Sequence, residues 1–441
     1  MAEVPLSPQD RVRSGAHLAL TIFAIVLALV AFALVELGLN QNLADHLPQY
    51  GALFVVGFIA GYMLVRFLAP AAEPAFFPAA ALLGGIGFAV IYRLAPDQSA
   101  EQASWLVVGL VAFALTLLLV RDHRKLDGYT YTIGLVGVGM LLLPIVPGLG
   151  REINGARVWI GLGPLTFQPA ELGKVLIAIF LASYLNTKRE LLQMAPGRLG
   201  PFQIPQAKHL GPVLVAWGVS LAVLFLEKDL GTSLLYFGIF VVMLWVATAR
   251  PAYLVIGLVL FAVGASLAYM TFGHVRERVV IWQHALDPQY VHAEGFQLAQ
   301  AEFALAAGGI GGTGLGRGEP NDIPFASTDF IFAAIGEELG MLGAASVLLL
   351  YVVLVGKGLK AATEQRDGFG KLLAAGLSAI LGLQTFIIVG GVTRVIPPTG
   401  ITLPFVSYGG SSLVANFVLL ALLVRISSGP APRRRGRAVG F

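Results

Sequence analysis

Long apolar segments constrain this chain more than any other feature of its sequence. Twelve of them occur, at about residues 16–39, 50–69, 75–95, 103–120, 130–148, 172–187, 211–226, 232–249, 252–272, 329–356, 370–393 and 410–426. Most approach the roughly 20 residues that an α-helix needs to cross a bilayer. Hydrophobic residues make up 57% of the chain and charged residues 12%, against about 25% charged in a soluble domain. The sequence therefore predicts an all-α polytopic membrane protein with about 12 transmembrane helices.

The distribution of Lys and Arg predicts how these spans are oriented. With both termini cytoplasmic, 20 of the 29 cationic residues fall on the inner side and 9 on the outer side, as the positive-inside rule requires. The one dense basic run, Arg433 to Arg437, is a short tail after the last span, so nothing indicates a nucleic-acid partner. No cysteine occurs, which excludes disulfides and thiolate chemistry.

Residues 396–412, IPPTGITLPFVSYGGSS, place prolines, glycines and hydroxyls between two apolar runs. Irregular backbone at the edge of a bilayer must be buried in protein or line a wet cavity. A helix that restarts near Gly409 and Gly410 would also offer free N–H groups to an anion, and a Cβ at either glycine is expected to clash. An ordinary re-entrant turn remains the alternative interpretation.

Ionisable side chains near the ends of spans are candidate functional groups, because charge inside a bilayer is costly. Glu171 and Lys174 lie one helical turn apart at the start of the sixth span, where they can pair. The other candidates occupy a tight turn or the start of the tenth span, and they are Glu227, Lys228, Asp229, Asp329, Glu337 and Glu338. Internal ion pairing is the alternative role for each. The carboxylates are compatible with an oxygen-ligated ion such as Mg²⁺, although their spacing does not demand one.

Two further patterns argue against other kinds of site. His274, His284 and His292 share one long loop, but their spacing matches no zinc motif. The glycine run at 308–318, GGIGGTGLGRG, lacks the Lys-Ser/Thr of a P-loop and the strand–helix context of a dinucleotide site. We interpret it as flexible backbone for a close turn, and we expect no organic cofactor.

Five separated motifs together resemble the shape, elongation, division and sporulation (SEDS) family, which includes the RodA, FtsW and SpoVE proteins of bacterial cell walls. They are NGARVWI with QPAELGK, EKDLGT, STDFIFAAIGEELG, GKLLAAGL, and VGGVTRVIPPTGITLPFVSYGGSSLVANF, in the order of the family. The resemblance covers roughly residues 150–427. The family usually has ten spans, three of them before the GAR motif, whereas this chain has five there and resembles its twelve-span RodA-type members.

The resemblance divides the chain into three parts. Residues 1–148 form N-terminal scaffold spans, including two that are additional to the ten-span core. Residues 149–427 form the catalytic membrane core, with a large extracytoplasmic loop at 273–328. Residues 428–441 form a basic cytoplasmic tail. Because two extra spans preserve sidedness, the GAR loop still faces outward.

The resemblance implies a peptidoglycan glycosyltransferase that polymerises lipid II at the outer face of the bacterial cytoplasmic membrane, in elongation or division. A class B penicillin-binding protein with transpeptidase activity and other elongation or division proteins are the implied partners. Such an enzyme releases polyprenyl pyrophosphate, and cations or a metal ion would stabilise that leaving group. The alternatives are a flippase or transporter of the lipid-linked precursor, and a non-enzymatic scaffold. The outer placement of the charges favours an enzyme over a transporter.

The resemblance also implies a carboxylate that accepts the proton of the acceptor sugar hydroxyl. Its position follows an Arg-Val…Trp segment, here Arg278 to Trp282, which leads to Asp287 in an Asp-Pro element. The spacing from Asp287 to Gln297 is longer than is usual in the family, so Glu294 remains the alternative base.

The implied substrate-binding residues complete the predicted site. Arg157, Lys174 and Lys228 are outside cations suited to pyrophosphate. The others are Asp229, Gln297, Thr328, Asp329, Glu338, Thr399, Ser407 and Ser411. No metal-ligand set can be assigned.

Overall fold

The structure is a computed structural model that describes residues 8–40, 46–153, 156–162, 165–193, 197–199, 202–204 and 226–429, with isolated positions between 215 and 223. Within these residues it contains thirteen α-helices. They are α1 Pro8–Asn40, α2 Leu47–Leu68, α3 Phe76–Leu94, α4 Ser99–Leu119, α5 Thr130–Leu142, α6 Pro169–Gln193, α7 Leu230–Thr248, α8 Pro251–Thr271, α9 Gly273–His284, α10 Phe296–Gly308, α11 Ile331–Glu364, α12 Gly368–Val392 and α13 Gly410–Ser427.

Eleven helical segments of the described chain are long and apolar enough to cross a membrane. They coincide with eleven of the twelve predicted spans, while most of the predicted span at 211–226 lies outside the described residues. Helices predominate because lipid offers no hydrogen-bond partners to the backbone, and a helix pairs its own N–H and C=O groups internally. The all-α membrane fold is therefore confirmed, and α9 and α10 lie in the long loop between two spans.

Two small antiparallel sheets accompany the helices. One, in the order β1-β2-β3, consists of Gly150–Ile153, Ala156–Leu162 and Leu165–Phe167, with Arg151 paired to Trp159. The other joins β4 Gly197–Leu199 to β5 Phe202–Ile204. The sequence analysis did not predict either sheet. The first one carries the GAR motif and leads directly into α6.

Local signals explain where several spans begin. Asp229 caps α7 by accepting a hydrogen bond from Thr232 N at 2.9 Å, and Asp367 caps α12 by accepting one from Gly370 N at 2.6 Å. Pro251 occupies the first turn of α8, where a missing N–H costs nothing. Side-chain caps satisfy N–H groups that have no partner inside the helix.

The helices pack as a bundle with α3, α12 and α13 at its centre, where most of their side chains are buried, whereas α8 is largely exposed. Aromatic rings of the first three helices form one part of the core, with Phe32 lying 4.9 Å from Tyr92 and 6.0 Å from Phe88 between ring centroids. Helix α1 thus packs against the bundle through α3.

Helix α11 is broken near its start. Gly340 adopts φ 68° and ψ −173°, which no helical residue does. The predicted tenth span is therefore a short segment, 331–339, followed by the longer apolar segment from 341 to 364. Glu337 and Glu338 lie at the start of the tenth span, as predicted, and the break follows them at Gly340.

The glycine-rich run at 308–318 is closely packed, and its interpretation as mere flexible backbone is wrong. A Cβ at Gly308 would lie 2.0 Å from the carbonyl oxygen of Gly336, and one at Gly312 would lie 2.2 Å from that of Glu338. Gly312 also has φ +81°, a conformation that disfavours side chains. These glycines allow the loop to lie directly against the α11 backbone.

Gly410 and Gly409 differ in the space around them. A Cβ at Gly410 would lie 2.0 Å from the Trp105 ring, whereas one at Gly409 would find Thr402 Cγ2 at 3.3 Å. The Trp105 ring is held because its Nε1 donates to Glu101 Oε1 at 3.2 Å. The expected clash at residue 410 has a structural basis, whereas a methyl group at residue 409 would require Thr402 to shift by only a few tenths of an ångström.

Gly410→Ala is therefore expected to destabilise the protein by about 1–3 kcal/mol, the usual cost of overpacking. Gly409→Ala is the matched control and should cost much less. Thermal unfolding of the two detergent-solubilised variants measures the difference. Equal melting temperatures would show that the Trp105 ring moves aside freely.

The orientation of the bundle stays a prediction that rests on the distribution of Lys and Arg. A reporter enzyme that is active only outside the cytoplasm, fused after Phe441, should be silent. The same reporter inserted after Gly311, in the long loop, should be active. The reverse pattern would overturn the assignment of sides.

Candidate functional site

A buried ion pair lies where α6 begins. We call this end of the bundle, which carries residues 273–328, the loop end. Lys174 is only 1% exposed, and its Nζ donates to Glu171 Oε2 at 2.5 Å and to Gln384 Oε1 at 2.7 Å. A buried ammonium group is tolerated only when it is paired and hydrogen-bonded. The predicted pairing of Glu171 with Lys174 is confirmed, and it joins α6 to α12.

Gln384 connects this pair to the turn at 393–409, which we call the proline-glycine turn. Gln384 Nε2 donates to the carbonyl oxygen of Thr402 at 2.8 Å, and Thr402 Oγ1 lies 2.7 Å from Ser412 Oγ. Neither Gln384 nor Thr402 was predicted as a site residue from the sequence. An amide within an apolar span is itself a signal, because it needs a partner there, and that signal could have identified Gln384.

The proline-glycine turn is anchored by Ser407 to the segment before α11. Ser407 Oγ donates to the carbonyl oxygen of Thr328 and accepts from Leu403 N at 2.8 Å. Tyr408 N donates to the carbonyl oxygen of Ser327 at 2.8 Å. Ser407 and Thr328 are thus brought together as backbone anchors.

Ser411 serves a similar purpose at the start of α13. It is buried, and its Oγ accepts from Gln168 N at 2.9 Å. The first turns of α13 and α6 are therefore held side by side. Both serines that were predicted to bind substrate are bonded to backbone groups, which gives them a role in shaping the site.

Two acidic side chains, Asp229 and Asp329, lie near enough to Arg278 for its charge to act on them. Asp229 accepts from Thr232 N and, at 2.6 Å, from Thr232 Oγ1, while Asp329 accepts from Thr328 Oγ1 at 2.9 Å. Burial raises the pKa of Asp229 and of Asp329, while the positive charge of Arg278 acts on both in the opposite direction. Arg278 therefore offsets part of the cost of burying two carboxylates.

Arg278 is a site residue that the sequence analysis named only as part of a motif. Its Nη1 donates to the carbonyl oxygen of Pro398 at 2.9 Å. A Cβ at Gly400, where φ is +77°, would lie 3.7 Å from that same nitrogen and 3.9 Å from Asp329 Oδ2. Arg278 thus joins α9 to the proline-glycine turn beside an acidic group.

Lys228 and His274 lie near Arg278, close enough for both cations to act on the imidazole. Lys228 is exposed and has φ 56°. The pKa of His274 is lowered by burial and then by the charges of Arg278 and Lys228. His274 Nε2 is buried and has no hydrogen-bond partner. Lys228 and Arg278 therefore bring two positive charges to this part of the loop end, as an anion-binding site requires, and His274, whose lowered pKa favours the neutral imidazole, lies beside them.

Helix α9 is fastened to the proline-glycine turn by reciprocal bonds. Trp282 Nε1 donates to the carbonyl oxygen of Arg394 at 2.9 Å, and Arg394 Nε donates to that of Trp282 at 2.9 Å. Arg394 Nη1 also bonds Glu302 Oε2 at 3.1 Å. We call this set of contacts the α9 clasp, and it fixes the height of α9 above the bundle.

An apolar cavity of about 280 Å³ lies under α9. Its walls come from α7, α8, α9 and the proline-glycine turn, and include Phe237, Phe261, Trp282 and Ile396. Thr399 lines it as well, and its Oγ1 is buried without a hydrogen-bond partner. Apolar cavities with a few polar groups at one edge are typical ligand sites.

The two candidate bases are placed differently. Asp287 is about half exposed, with its Oδ2 2.9 Å from His284 Nδ1. Glu294 is exposed and lines a separate cavity of about 280 Å³ together with Tyr290. Gln297 donates to the carbonyl oxygen of Pro324 at 2.8 Å. The geometry leaves open which carboxylate is the base.

Arg157 and Glu338 lie in other surroundings. Arg157 belongs to β2, and its Nε would lie 3.0 Å from a Cβ at Gly150. Glu338 Oε1 accepts from Arg93 Nε at 3.1 Å, close to the glycine-rich run. Neither residue forms a hydrogen bond or ion pair with Lys174 within the described part of the chain.

The predicted divalent cation gains no support from the ligand geometry. Across the described residues, no three side chains of His, Cys, Asp or Glu converge in a way that could hold a metal ion. We therefore derive no chemical step through a metal, and the ion stays a prediction.

Comparison with known proteins supplies the identity of the fold. Residues 90–430 match the family model FtsW/RodA/SpoVE, described as cell cycle protein. Curated relatives include peptidoglycan glycosyltransferase RodA of Mycobacterium tuberculosis, 44% identical over 97% of this chain and 93% of the relative. Another is the probable peptidoglycan glycosyltransferase FtsW of Geobacter metallireducens, 32% identical over 74% of this chain and 84% of the relative.

A solved structure agrees with these relatives. A chain from a peptidoglycan synthase complex, described as coordinating polymerization and crosslinking, has a TM-score of 0.64 and 30% identity, covering 81% of this chain and 97% of that chain. Sequence and architecture thus lead to the same conclusion, and this chain belongs to the FtsW/RodA/SpoVE family.

Proposed function

We infer that this protein is a peptidoglycan glycosyltransferase and propose that it polymerises lipid II into glycan strands. Its curated relatives carry that enzymatic name at 44% identity over nearly the whole chain. The observation that carries the substrate proposal is the position of the cations Lys228 and Arg278 next to Leu230 and Val279, two of the residues that line the apolar cavity. A lipid-linked pyrophosphate combines the same two features, an apolar chain and a concentrated negative charge.

In the proposed reaction, a hydroxyl of the acceptor sugar attacks the anomeric carbon of the donor. A new glycosidic C–O bond forms, and the bond from that carbon to the pyrophosphate oxygen breaks. Lys228 and Arg278 stabilise the negative charge that develops on the departing polyprenyl pyrophosphate. The hydroxyl proton passes to a carboxylate, which we assign to Asp287 with Glu294 as the alternative.

The remaining polar groups position the reacting parts. Lys174 is bonded to both Glu171 and Gln384. We therefore propose that it supports the proline-glycine turn and contributes to the electrostatic field of the site. The free hydroxyl of Thr399 is suited to bind the polar end of the substrate. Arg157 is proposed as a further pyrophosphate ligand from the GAR motif.

The arrangement favours an enzyme over a transporter. Glu171, Asp229 and Asp329 all lie where α6, α7 and α11 begin, at one end of the bundle. Alternating access would instead require a site near the middle of the membrane, reached from both sides. A class B penicillin-binding protein in the bacterial cytoplasmic membrane is the proposed partner. The solved neighbour from a complex of polymerization and crosslinking supports that proposal.

Loss of either proposed pyrophosphate ligand should slow polymerisation strongly. Lys228→Gln and Arg278→Gln are each expected to lower the rate by about 10²–10³-fold, as when an oxyanion-stabilising donor is removed. The measurement uses purified protein with labelled lipid II, and glycan products are separated on a gel.

Arg276→Gln is the control for this experiment. Arg276 lies on the same helix as Arg278, but its guanidinium carbon is 5.7 Å from the centroid of the Tyr269 ring and it donates to the carbonyl oxygen of Met270. It should retain activity. If Lys228→Gln and Arg278→Gln polymerise as fast as this control, their charges do not act on the reaction. A native protein that makes no polymer would favour the flippase or scaffold alternative.

Asp287→Asn tests the assignment of the base. It keeps the size of the side chain but cannot accept the proton, so the rate should fall by at least the roughly 10²–10⁴-fold typical of general bases. Binding of lipid II should persist, and Glu294→Gln should be mild. An active Asp287→Asn enzyme beside an inactive Glu294→Gln enzyme would transfer the role to Glu294.

A further inference from the structure

The loop end of α1 lies in direct backbone contact with the glycine-rich run at 308–318. A Cβ at Gly38 would lie 2.8 Å from Gly316 Cα and 2.9 Å from the carbonyl oxygen of Leu315. Gly316 has φ +77°, and a Cβ there would lie 2.9 Å from Gly38 Cα. Two glycines thus allow a helix and a loop to touch without an intervening side chain, and any larger residue at position 38 must separate them.

The same run completes the broken start of α11. Thr313 N and Gly314 N donate to the carbonyl oxygens of Glu337 and Glu338, both at 2.9 Å. Met341 N in turn donates to the carbonyl oxygen of Gly309 at 2.9 Å. The break at Gly340 leaves these groups without helical partners, and the loop supplies them. Its position is therefore tied to the position of residues 337–341.

Arg93 of α3 adds a second attachment. Its Nη2 donates to the carbonyl oxygen of Gly318 at 2.8 Å, and its Nε donates to Glu338 Oε1 at 3.1 Å. Glu338 is almost completely buried. A buried charged pair of this kind is strongly destabilised when one partner is removed, so Arg93 holds the end of the run firmly.

The run also fixes α10. This helix ends at Gly308, whose Cβ position lies 2.0 Å from the carbonyl oxygen of Gly336, so its backbone touches α11. Its other end, Phe296, directly follows the segment that carries Asp287 and Glu294. A displacement of the run would therefore be transmitted along α10 to the candidate bases.

We propose that Gly38 and Arg93 are positioning residues for the external loop. In this proposal α1, one of the helices that precede the family match at residues 90–430, holds the glycine-rich run against α11 and so sets the position of α10 and the base segment. The catalytic part of the proposal rests on the proposed function. The mechanical part, that α1 immobilises the run, does not.

Gly38→Ala tests the contact with the smallest possible change. Gly15→Ala is the matched control, because it makes the same substitution in the same helix and no atom lies within 4 Å of its Cβ position. The native chain has no cysteine, so Gly311→Cys gives a single site for a spin label. Gly311 also has open space around its Cβ position, so the label itself should not disturb the loop.

The expected results concern both motion and rate. In full-length protein in lipid nanodiscs, Gly38→Ala should increase the mobility of the label at position 311 in its electron paramagnetic resonance spectrum. It should also lower kcat for lipid II polymerisation by roughly ten- to a hundredfold, the scale expected when catalytic groups are misplaced. The KM for lipid II should change little, because the proposed pyrophosphate ligands lie elsewhere. Gly15→Ala should resemble the native protein in every measurement.

Arg93→Gln provides a second, independent variant and carries the test by itself if Gly38→Ala fails to insert. It should also mobilise the label and lower kcat. Unchanged label mobility in the variants would overturn the proposal, and so would increased mobility with native kcat. If the native protein does not polymerise lipid II, the proposed function fails, while the label still decides whether α1 immobilises the run.

Discussion

The buried ammonium group of Lys174 is the interaction on which the loop end depends. Lipid and packed side chains cannot solvate it, so it must be surrounded by fixed acceptors. Glu171 supplies one from the same helix and Gln384 supplies the other from α12. The side-chain amide nitrogen of Gln384 then donates to the proline-glycine turn, at the carbonyl oxygen of Thr402. One charge therefore determines how α6, α12 and the turn are arranged, and breaking such a pair typically costs about 3–5 kcal/mol.

Close backbone approach is the second constraint. Gly410 under Trp105, Gly312 against Glu338 and Gly38 against Gly316 are all places where a Cβ would meet another group at less than 3.0 Å. Glycine lowers helix propensity, and at these positions the close contact compensates for that cost. The polar groups of the site are therefore carried on closely packed helices and loops, and moving these elements apart would leave a cavity between them.

The spans and the Glu171–Lys174 pair could be predicted because both depend on local sequence. The length of an apolar segment determines whether it can span the membrane. A spacing of three residues places two side chains on the same face of a helix, where they can pair. The role of Gln384 could not be predicted, since its partner Thr402 is reached only after the chain has turned at residues 393–401. Ser407 and Ser411 were predicted to bind substrate and instead bond backbone groups, because a hydroxyl in a sequence does not reveal which partner it will meet. The break at Gly340 depends on a loop more than twenty residues earlier, and the choice between Asp287 and Glu294 depends on spacing within a segment that has no regular periodicity.

The α9 clasp has a consequence for the order in which the protein is made. Trp282 and Arg394 are separated by 112 residues along the chain, and domains generally fold as their residues emerge during synthesis. Helices α7 and α8 are therefore inserted, and α9 is synthesised, well before the proline-glycine turn exists. Until then the apolar cavity lacks the wall that Ile396 and Pro397 provide, and it is open to surrounding lipid. The proline-glycine turn, which is synthesised after these helices, therefore closes the cavity once its other walls are in place.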